Sequence, residues 1–269
     1  MKNRVLAGAL LALGLAARPA AAQTRRTVFG WQLWPEAQAE LALPGADYLL
    51  LAVRGQHGID NNGDPSRVLG FDVRRVSLGY EHFLGEHWSL GGVLAYASSS
   101  RPYELIPEAL LRHRSPVGPL TFGQRLSVEH VFPSPAGVKG QTNARLRADL
   151  EKVLTLGAVV LRPRLSYEAV THLRAFSADT DPNADERTVQ FTSLRAEVGC
   201  RVSSLFDFTP WVAYQTQYAF GLATFDGNNK VVVPAGRVNV VSPVLGLDLR
   251  FTLLQGQDAA ARRQLPTQH

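Results

Sequence analysis

Arginine and carboxylate side chains alternate with apolar residues along much of the chain. Between positions 145 and 151 every second residue is charged, in the order Arg145, Arg147, Asp149 and Glu151. Successive side chains of a β-strand point to opposite faces, so this spacing puts all four charges on one face. Guanidinium and carboxylate groups that share a face can pair as a bidentate ladder, whereas an excess of arginine along an open passage favours anions.

The same spacing recurs on consecutive candidate strands, and we expect sixteen charged residues to face one interior. They are Glu108, Arg112, Arg114, Arg125, Glu129, Arg145, Arg147, Asp149, Glu151, Arg162, Arg164, Glu168, Arg195, Glu197, Asp248 and Arg250. Acids are interleaved with arginines strand by strand. We therefore favour the structural ladder over the open anion path.

One segment resembles a catalytic motif. His87-Trp88-Ser89-Leu90-Gly91 is similar to the His-x-Ser-Asn-Gly segment of outer-membrane phospholipases, but Leu90 stands where that family has asparagine. The segment also follows a tight turn. In a membrane β-barrel such turns lie on the periplasmic side, whereas those phospholipases act at the outer leaflet of the membrane. The chain has no Gly-x-Ser-x-Gly elbow, His-Glu-x-x-His motif or phosphate-binding glycine loop. We do not expect an enzyme, and a lipid hydrolase is the alternative.

An acidic connection could bind a cation. Asp179, Asp181, Asn183 and Asp185 place oxygen ligands at every second position, as calcium loops do. Ala184 occupies the position where the usual loop needs glycine. A solvated acidic loop is the simpler interpretation, and calcium at this outer loop is the alternative. We expect no other metal or cofactor.

Eleven candidate strands carry these residues, and each is about as long as a tilted membrane-spanning strand must be. They are 28–43, 48–57, 68–83, 87–97, 103–114, 120–132, 142–153, 158–173, 187–202, 206–220 and 238–253. Short turns alternate with long polar connections, which is typical of outer-membrane barrels. We predict an all-β fold, a single antiparallel transmembrane β-barrel.

The strand number follows from closure. Antiparallel bacterial barrels have an even number of strands, so we expect twelve, within a range of 10–12. The missing strand should lie near the N-terminus or around positions 230–233, where an apolar triplet interrupts a polar connection.

The second face of the strands is apolar and carries aromatic rings near the strand ends. Trp88 and Tyr96 bracket one strand, and Phe208, Tyr214 and Tyr218 share one face of another. Aromatic rings at both ends of a spanning strand suit the two headgroup levels of a membrane. A soluble β-sandwich with core aromatics is the alternative, and the length of the strands disfavours it.

The N-terminal segment predicts export. Lys2 and Arg4 precede a short apolar stretch that ends in small residues, so we expect a signal peptide at 1–22 with cleavage after Ala22. The barrel should then span 23–253, with a polar periplasmic tail at 254–269. The formal charge of +5 falls to +2 without Lys2, Arg4 and Arg18, which argues against a nucleic-acid partner.

The final strand, at positions 244–251, looks like the targeting signal of substrates of the barrel-assembly machinery, with Gly246, Leu249 and the aromatic Phe251 at the expected spacing. The region from about Trp31 to Phe251 also resembles an uncharacterised bacterial outer-membrane β-barrel family known only as a domain of unknown function. That likeness depends on the Trp31 strand and on the segments 112–114, 125–129, 145–147 and 162–165. It implies barrel architecture and an envelope location, and it brings no catalytic residues.

These observations lead to one expected function and two alternatives. We expect an integral outer-membrane barrel that is structural or forms a narrow passive channel, with outer-membrane lipid and the assembly machinery as its partners. The alternatives are the lipid hydrolase and an outer-surface adhesion or binding barrel that acts through its long loops. The sequence leaves the oligomeric state open.

Overall fold

The computed structural model describes residues 25–43, 47–58, 70–99, 103–134, 139–157, 159–173, 188–221 and 223–254. Every regular element in these ranges is a strand, and no helix there is long and apolar enough to cross a membrane. The strands are β1 (Arg25–Val28), β2 (Gln32–Leu43), β3 (Asp47–Gly58), β4 (Val73–Phe83), β5 (Trp88–Ser99), β6 (Tyr103–Val117), β7 (Leu120–Pro133), β8 (Gln141–Glu151), β9 (Leu154–Leu156), β10 (Val159–His172), β11 (Phe191–Arg201), β12 (Phe206–Gly221), β13 (Thr224–Phe225), β14 (Val231–Val233) and β15 (Gly236–Leu254).

Eleven of these strands form a closed wall. From β2 to β15 each wall strand pairs antiparallel with the next, in the order β2, β3, β4, β5, β6, β7, β8, β10, β11, β12 and β15. The ring closes because β15 pairs in parallel with β2, from Val244 beside Gln32 to Leu254 beside Ala42. We call this β15–β2 pairing the seam. The barrel fold is confirmed, and all eleven candidate strands are present in its wall.

The wall has eleven strands where the sequence suggested twelve. An even number is required only if every pairing is antiparallel, and the parallel seam removes that condition. Both places proposed for a missing strand do contain strand residues. However, β1 extends the first strand along β15, with Arg25 beside Val238, and β14 pairs with β13 in a separate two-stranded sheet.

Short turns connect the strands at one rim, and two of them depend on glycine. Gly118, between β6 and β7, and Gly157, between β9 and β10, both have a φ of 60°. A side chain with a Cβ rarely adopts this left-handed conformation, whereas glycine does so at little cost. Both glycines lie between strands that the sequence predicts, at 103–114 and 120–132 and at 142–153 and 158–173. We call this end of the barrel the turn rim, and the opposite end, where the long connections lie, the loop rim.

The outer face of the wall is apolar. Leu126, Leu146, Leu165 and Leu194, on four neighbouring strands, are each about half exposed, while the residues beside them in sequence are buried or partly buried. Soluble monomers rarely expose an apolar surface that continues from strand to strand. Such a belt is what the hydrocarbon of a membrane covers around a β-barrel.

Two tryptophans pack on the inner face across the seam strand. Trp34 of β2 and Trp211 of β12 meet edge to face with ring centroids 6.1 Å apart, and they pack with the buried Ala213 and Val244. Gly246 of β15 lies opposite Trp211, and a Cβ at that position would overlap the indole ring. Glycine is therefore required there so that the aromatic pair can lie across β15.

A second apolar cluster lies inside the barrel at the turn rim. The rings of Tyr48 and Phe83 meet at 5.3 Å between centroids, and Ala42 packs against them. These residues come from the end of β2, the start of β3 and the end of β4, so the cluster narrows the interior at that rim.

We predict that Gly246→Ala destabilises the barrel by about 1–3 kcal/mol, because the added methyl group displaces the Trp211 ring. The measurement is urea unfolding of the protein folded in lipid vesicles. The matched control is Gly236→Ala on the same strand, where a Cβ meets no atom within 4 Å. Equal unfolding midpoints for the two variants would contradict the proposed packing.

Candidate functional site in the barrel lumen

The structure places all sixteen charged residues of the predicted ladder on the inner face. Twelve are buried, and Glu108, Arg114, Arg145 and Arg162 are partly buried. The twelve buried residues are Arg112, Arg125, Glu129, Arg147, Asp149, Glu151, Arg164, Glu168, Arg195, Glu197, Asp248 and Arg250. Charged side chains are rarely buried unless they are paired, so their partners determine what the interior can do.

One deeply buried ion pair joins two strands that are not neighbours. Nη1 of Arg112 on β6 donates to both carboxylate oxygens of Glu81 on β4, at 2.6 and 2.8 Å. The intervening strand β5 contributes Ser89, whose hydroxyl donates to the same carboxylate at 2.5 Å. Arg112 is 4% exposed and Glu81 is 1% exposed. The pair is therefore desolvated, and each charge depends on the other.

A chain of ion pairs crosses the wall from β6 to β11. Glu151 on β8 lies 3.2 Å from Nη2 of Arg114 and 3.4 Å from Nε of Arg164. Arg164 on β10 also reaches Glu197 on β11, at 2.7 Å. One carboxylate is thus shared by two guanidinium groups, and one guanidinium group is shared by two carboxylates.

The same chain ends at the tryptophan pair. Arg195 on β11 contacts Glu197 at 2.5 Å and Asp248 on β15 at 2.9 Å. Its guanidinium carbon lies 4.0 Å from the centre of the Trp211 ring, and the Trp211 indole N–H donates to Asp248 at 2.9 Å. The ionic chain and the aromatic packing at the seam therefore share residues.

A second group of pairs lies around Arg145 of β8. Its guanidinium group contacts Glu129 on β7 at 3.1 Å and also binds Glu168 on β10. Arg125 on β7 donates to Glu108 on β6 at 2.6 Å. These pairs link four successive wall strands.

Several interior residues were absent from the sixteen. Arg54 on β3 binds Glu36 on β2 at 2.6 Å, and Arg201 binds Asp207 at 3.2 Å near the turn rim. Arg250 donates to Gln38 at 2.8 Å across the seam, and it lies 3.5 Å from Glu40. The alternation did place Gln38, Glu36 and Glu40 on one face, but it gave no signal for Arg54, because positions 48–53 are uniformly apolar.

The strand register explains how the pairs form. Arg112 lies directly opposite Arg125, Arg125 lies opposite Arg147, and Glu108 lies opposite Glu129. Like charges that face each other directly are destabilising. Some side chains at these positions pair diagonally, as Arg125 does with Glu108, whereas Arg164 pairs with Glu151 and Glu197 directly opposite it. Alternation therefore predicts the face of a residue without predicting its partner.

A cavity of about 180 Å³ remains between these groups. Residues from ten of the wall strands line it, among them both tryptophans, six arginines and four glutamates. The charged residues are Arg54, Arg75, Arg125, Arg145, Arg147, Arg195, Glu36, Glu108, Glu129 and Glu168. The cavity is therefore large enough for several water molecules.

Two further hypotheses from the sequence can be compared with this geometry. Ser89, which would be the nucleophile of a lipid hydrolase, is 2% exposed and lies in the lumen. Its hydroxyl donates to the Glu81 carboxylate, which also binds Arg112. Among the described residues no group of three or more His, Cys, Asp or Glu could hold a metal ion. The calcium hypothesis at 179–186, the signal peptide at 1–22 and the polar tail from 255 onward lie outside the described residues.

Comparison with known proteins finds similarity among solved structures alone. No family model and no curated protein matches the chain. Among solved structures the chain is similar to the NanC porin, with 10% sequence identity, a TM-score of 0.40, and coverage of 77% of this chain and 93% of that one. At this distance the similarity carries no argument about function.

We predict that Arg112→Met destabilises the barrel by about 3–5 kcal/mol, because it leaves the Glu81 carboxylate buried without its counter-ion. Replacing both partners, in Arg112→Met/Glu81→Met, should recover most of the loss. Urea unfolding in lipid vesicles measures both, with Arg74→Met as the control for the loss of a partly buried arginine whose Nη2 lies 3.5 Å from the Ser98 hydroxyl. A double variant no more stable than Arg112→Met would contradict the pairing.

Proposed function

We propose that this protein is an integral outer-membrane β-barrel whose lumen is a narrow passive path for water and small ions. Larger solutes are excluded by the ion-pair ladder. The observation that supports this most directly is the burial of the charged side chains that line the interior. An open aqueous channel would leave these side chains accessible to water, whereas twelve of the sixteen predicted ladder residues are buried.

The dimensions of the interior support the same proposal. The cavity of about 180 Å³ is smaller than the 300–1,000 Å³ typical of sites for drug-sized ligands. The Tyr48–Phe83 cluster fills space at the turn rim. Ion pairs that bridge non-adjacent strands, such as Arg112–Glu81, extend across the inner surface and leave little room between them.

The proposed location has separate support. The exposed apolar belt on the outer face suits lipid, and an outer-membrane barrel is the usual context for such a wall. Export with cleavage after Ala22, delivery by the barrel-assembly machinery through the segment ending at Phe251, and membership of the uncharacterised barrel family are parts of this proposal. The adhesion alternative depends on the long loops, and much of their length lies outside the described residues.

The test is single-channel conductance of the refolded mature protein in planar lipid bilayers. We expect the wild-type protein to give a small, steady current. The double variant Glu108→Ala/Arg125→Ala should conduct severalfold more, because it removes a complete ion pair from the cavity wall and leaves no new unpaired charge. The matched control is Arg201→Ala/Asp207→Ala, which removes a cross-strand pair that does not line the cavity.

Two outcomes would overturn the proposal in different ways. A wild-type current as large as that of a general porin would contradict the ladder as a barrier. Silence from the wild-type protein and from both double variants, after insertion is verified by protease protection, would contradict a passive path and leave a structural role. Heat-modifiable migration on gels shows that each variant is folded before recording.

A further inference from the structure

We propose that the lumen cavity contains a binding site for a small oxyanion, such as inorganic phosphate or sulfate, with Arg75 as its main cation. The inference deepens the proposed function, since it requires that water and small ions reach the cavity. It depends on one difference in ion pairing: the arginines described above contact carboxylates, whereas Arg75 contacts a serine hydroxyl.

Arg75 lies on the inner face of β4 and lines the cavity. Its Nε donates to the hydroxyl of Ser77, two residues further along the same strand, at 3.3 Å. Among the described residues, no carboxylate oxygen lies within 4.0 Å of its guanidinium nitrogens. Most of the donor groups of this guanidinium are therefore available to a ligand in the cavity.

The neighbouring strands do not supply a counter-charge. Arg75 is paired in register with Arg54 on β3 and with Ala97 on β5. Arg54 is already bound to Glu36. Two arginines directly opposite each other repel, and a cation that is partly removed from water is costly without an anion nearby. An anion bound at Arg75 would offset both costs.

The glutamates on the cavity wall are neutralised by other arginines. Glu36 binds Arg54, Glu108 binds Arg125, and both Glu129 and Glu168 bind Arg145. These carboxylates therefore oppose an incoming anion less than bare charges would. The positive charge of Arg75 remains, beside a serine hydroxyl that can donate one hydrogen bond to an anion.

The size of the cavity restricts the ligand. A volume of about 180 Å³ accommodates a tetrahedral oxyanion with a few waters, and it lies below the range typical of sites for drug-sized ligands. The planar guanidinium fork of arginine matches two oxygens of such an anion. We therefore assign the site to inorganic oxyanions in preference to chloride. Chloride is a single atom, so it does not offer two separate acceptor atoms to one guanidinium group.

Isothermal titration calorimetry of the folded protein in detergent micelles tests the proposal, with sodium sulfate and then sodium phosphate as the probes. We expect saturable binding of about one anion per barrel. Arg75→Gln should weaken that binding by about tenfold or more, because it removes a charge-assisted hydrogen-bonding group. Arg74→Gln is the matched control, since it removes the same charge at the adjacent position, and Arg74 does not line the cavity.

The possible outcomes test the anion site and the proposed passive path separately. Absence of saturable heat for either anion in the folded wild-type protein overturns the site, as does equal affinity in the wild type and Arg75→Gln. If Arg75→Gln does not fold, Arg75→Lys keeps the charge without the fork and should still weaken sulfate binding, and unchanged affinity in that variant also overturns the site. Saturable binding in a barrel that passes no current would retain the site while contradicting the passive path.

Discussion

The whole structure depends on the need to satisfy backbone hydrogen bonds around a closed ring. A spanning sheet cannot leave an edge in hydrocarbon, because each unpaired N–H or C=O group there costs several kcal/mol. The eleven-stranded wall meets this condition through the parallel seam between β15 and β2. Once the wall is closed, every second side chain is enclosed, and the polar residues on that face must find partners among themselves.

The ladder is a response to this enclosure. A carboxylate or guanidinium group removed from water is tolerated when an opposite charge and further hydrogen bonds compensate it, and Asp248 shows both, since it accepts from Arg195 and from the Trp211 indole. Removing one partner is more costly than replacing the pair, so such a network holds the strands in one register. The same residues then leave little space for a solute.

Much of the wall could be predicted from the sequence. Period-two alternation located all eleven wall strands, because successive side chains of a strand in a closed barrel point alternately to its outer and inner faces. The seam was not predictable, since alternation is the same for parallel and antiparallel neighbours. The doublet Arg74-Arg75 hid the inward position of Arg75, because both residues of the doublet are polar whichever one faces the lumen.

Pairing partners were beyond the sequence for a different reason. Part of the ladder does not follow the register of neighbouring strands: Arg112 reaches over β5 to Glu81, while the residue opposite it is Arg125. Such partners depend on side-chain length and on which inner positions are small. Glu81 itself lies in the run Tyr80-Glu81-His82-Phe83, where His82 next to it is also polar, so alternation alone does not assign Glu81 to the interior.

The odd number of wall strands also determines where the ends of the barrel lie. Each strand reverses direction, so a wall of eleven begins at one rim and finishes at the other: Gln32 starts β2 at the loop rim, and Leu254 ends β15 at the turn rim. Barrels with an even strand number bring both ends to the same side. In the membrane location proposed above, segments attached before the first wall strand and after the last one would lie on opposite sides of the bilayer.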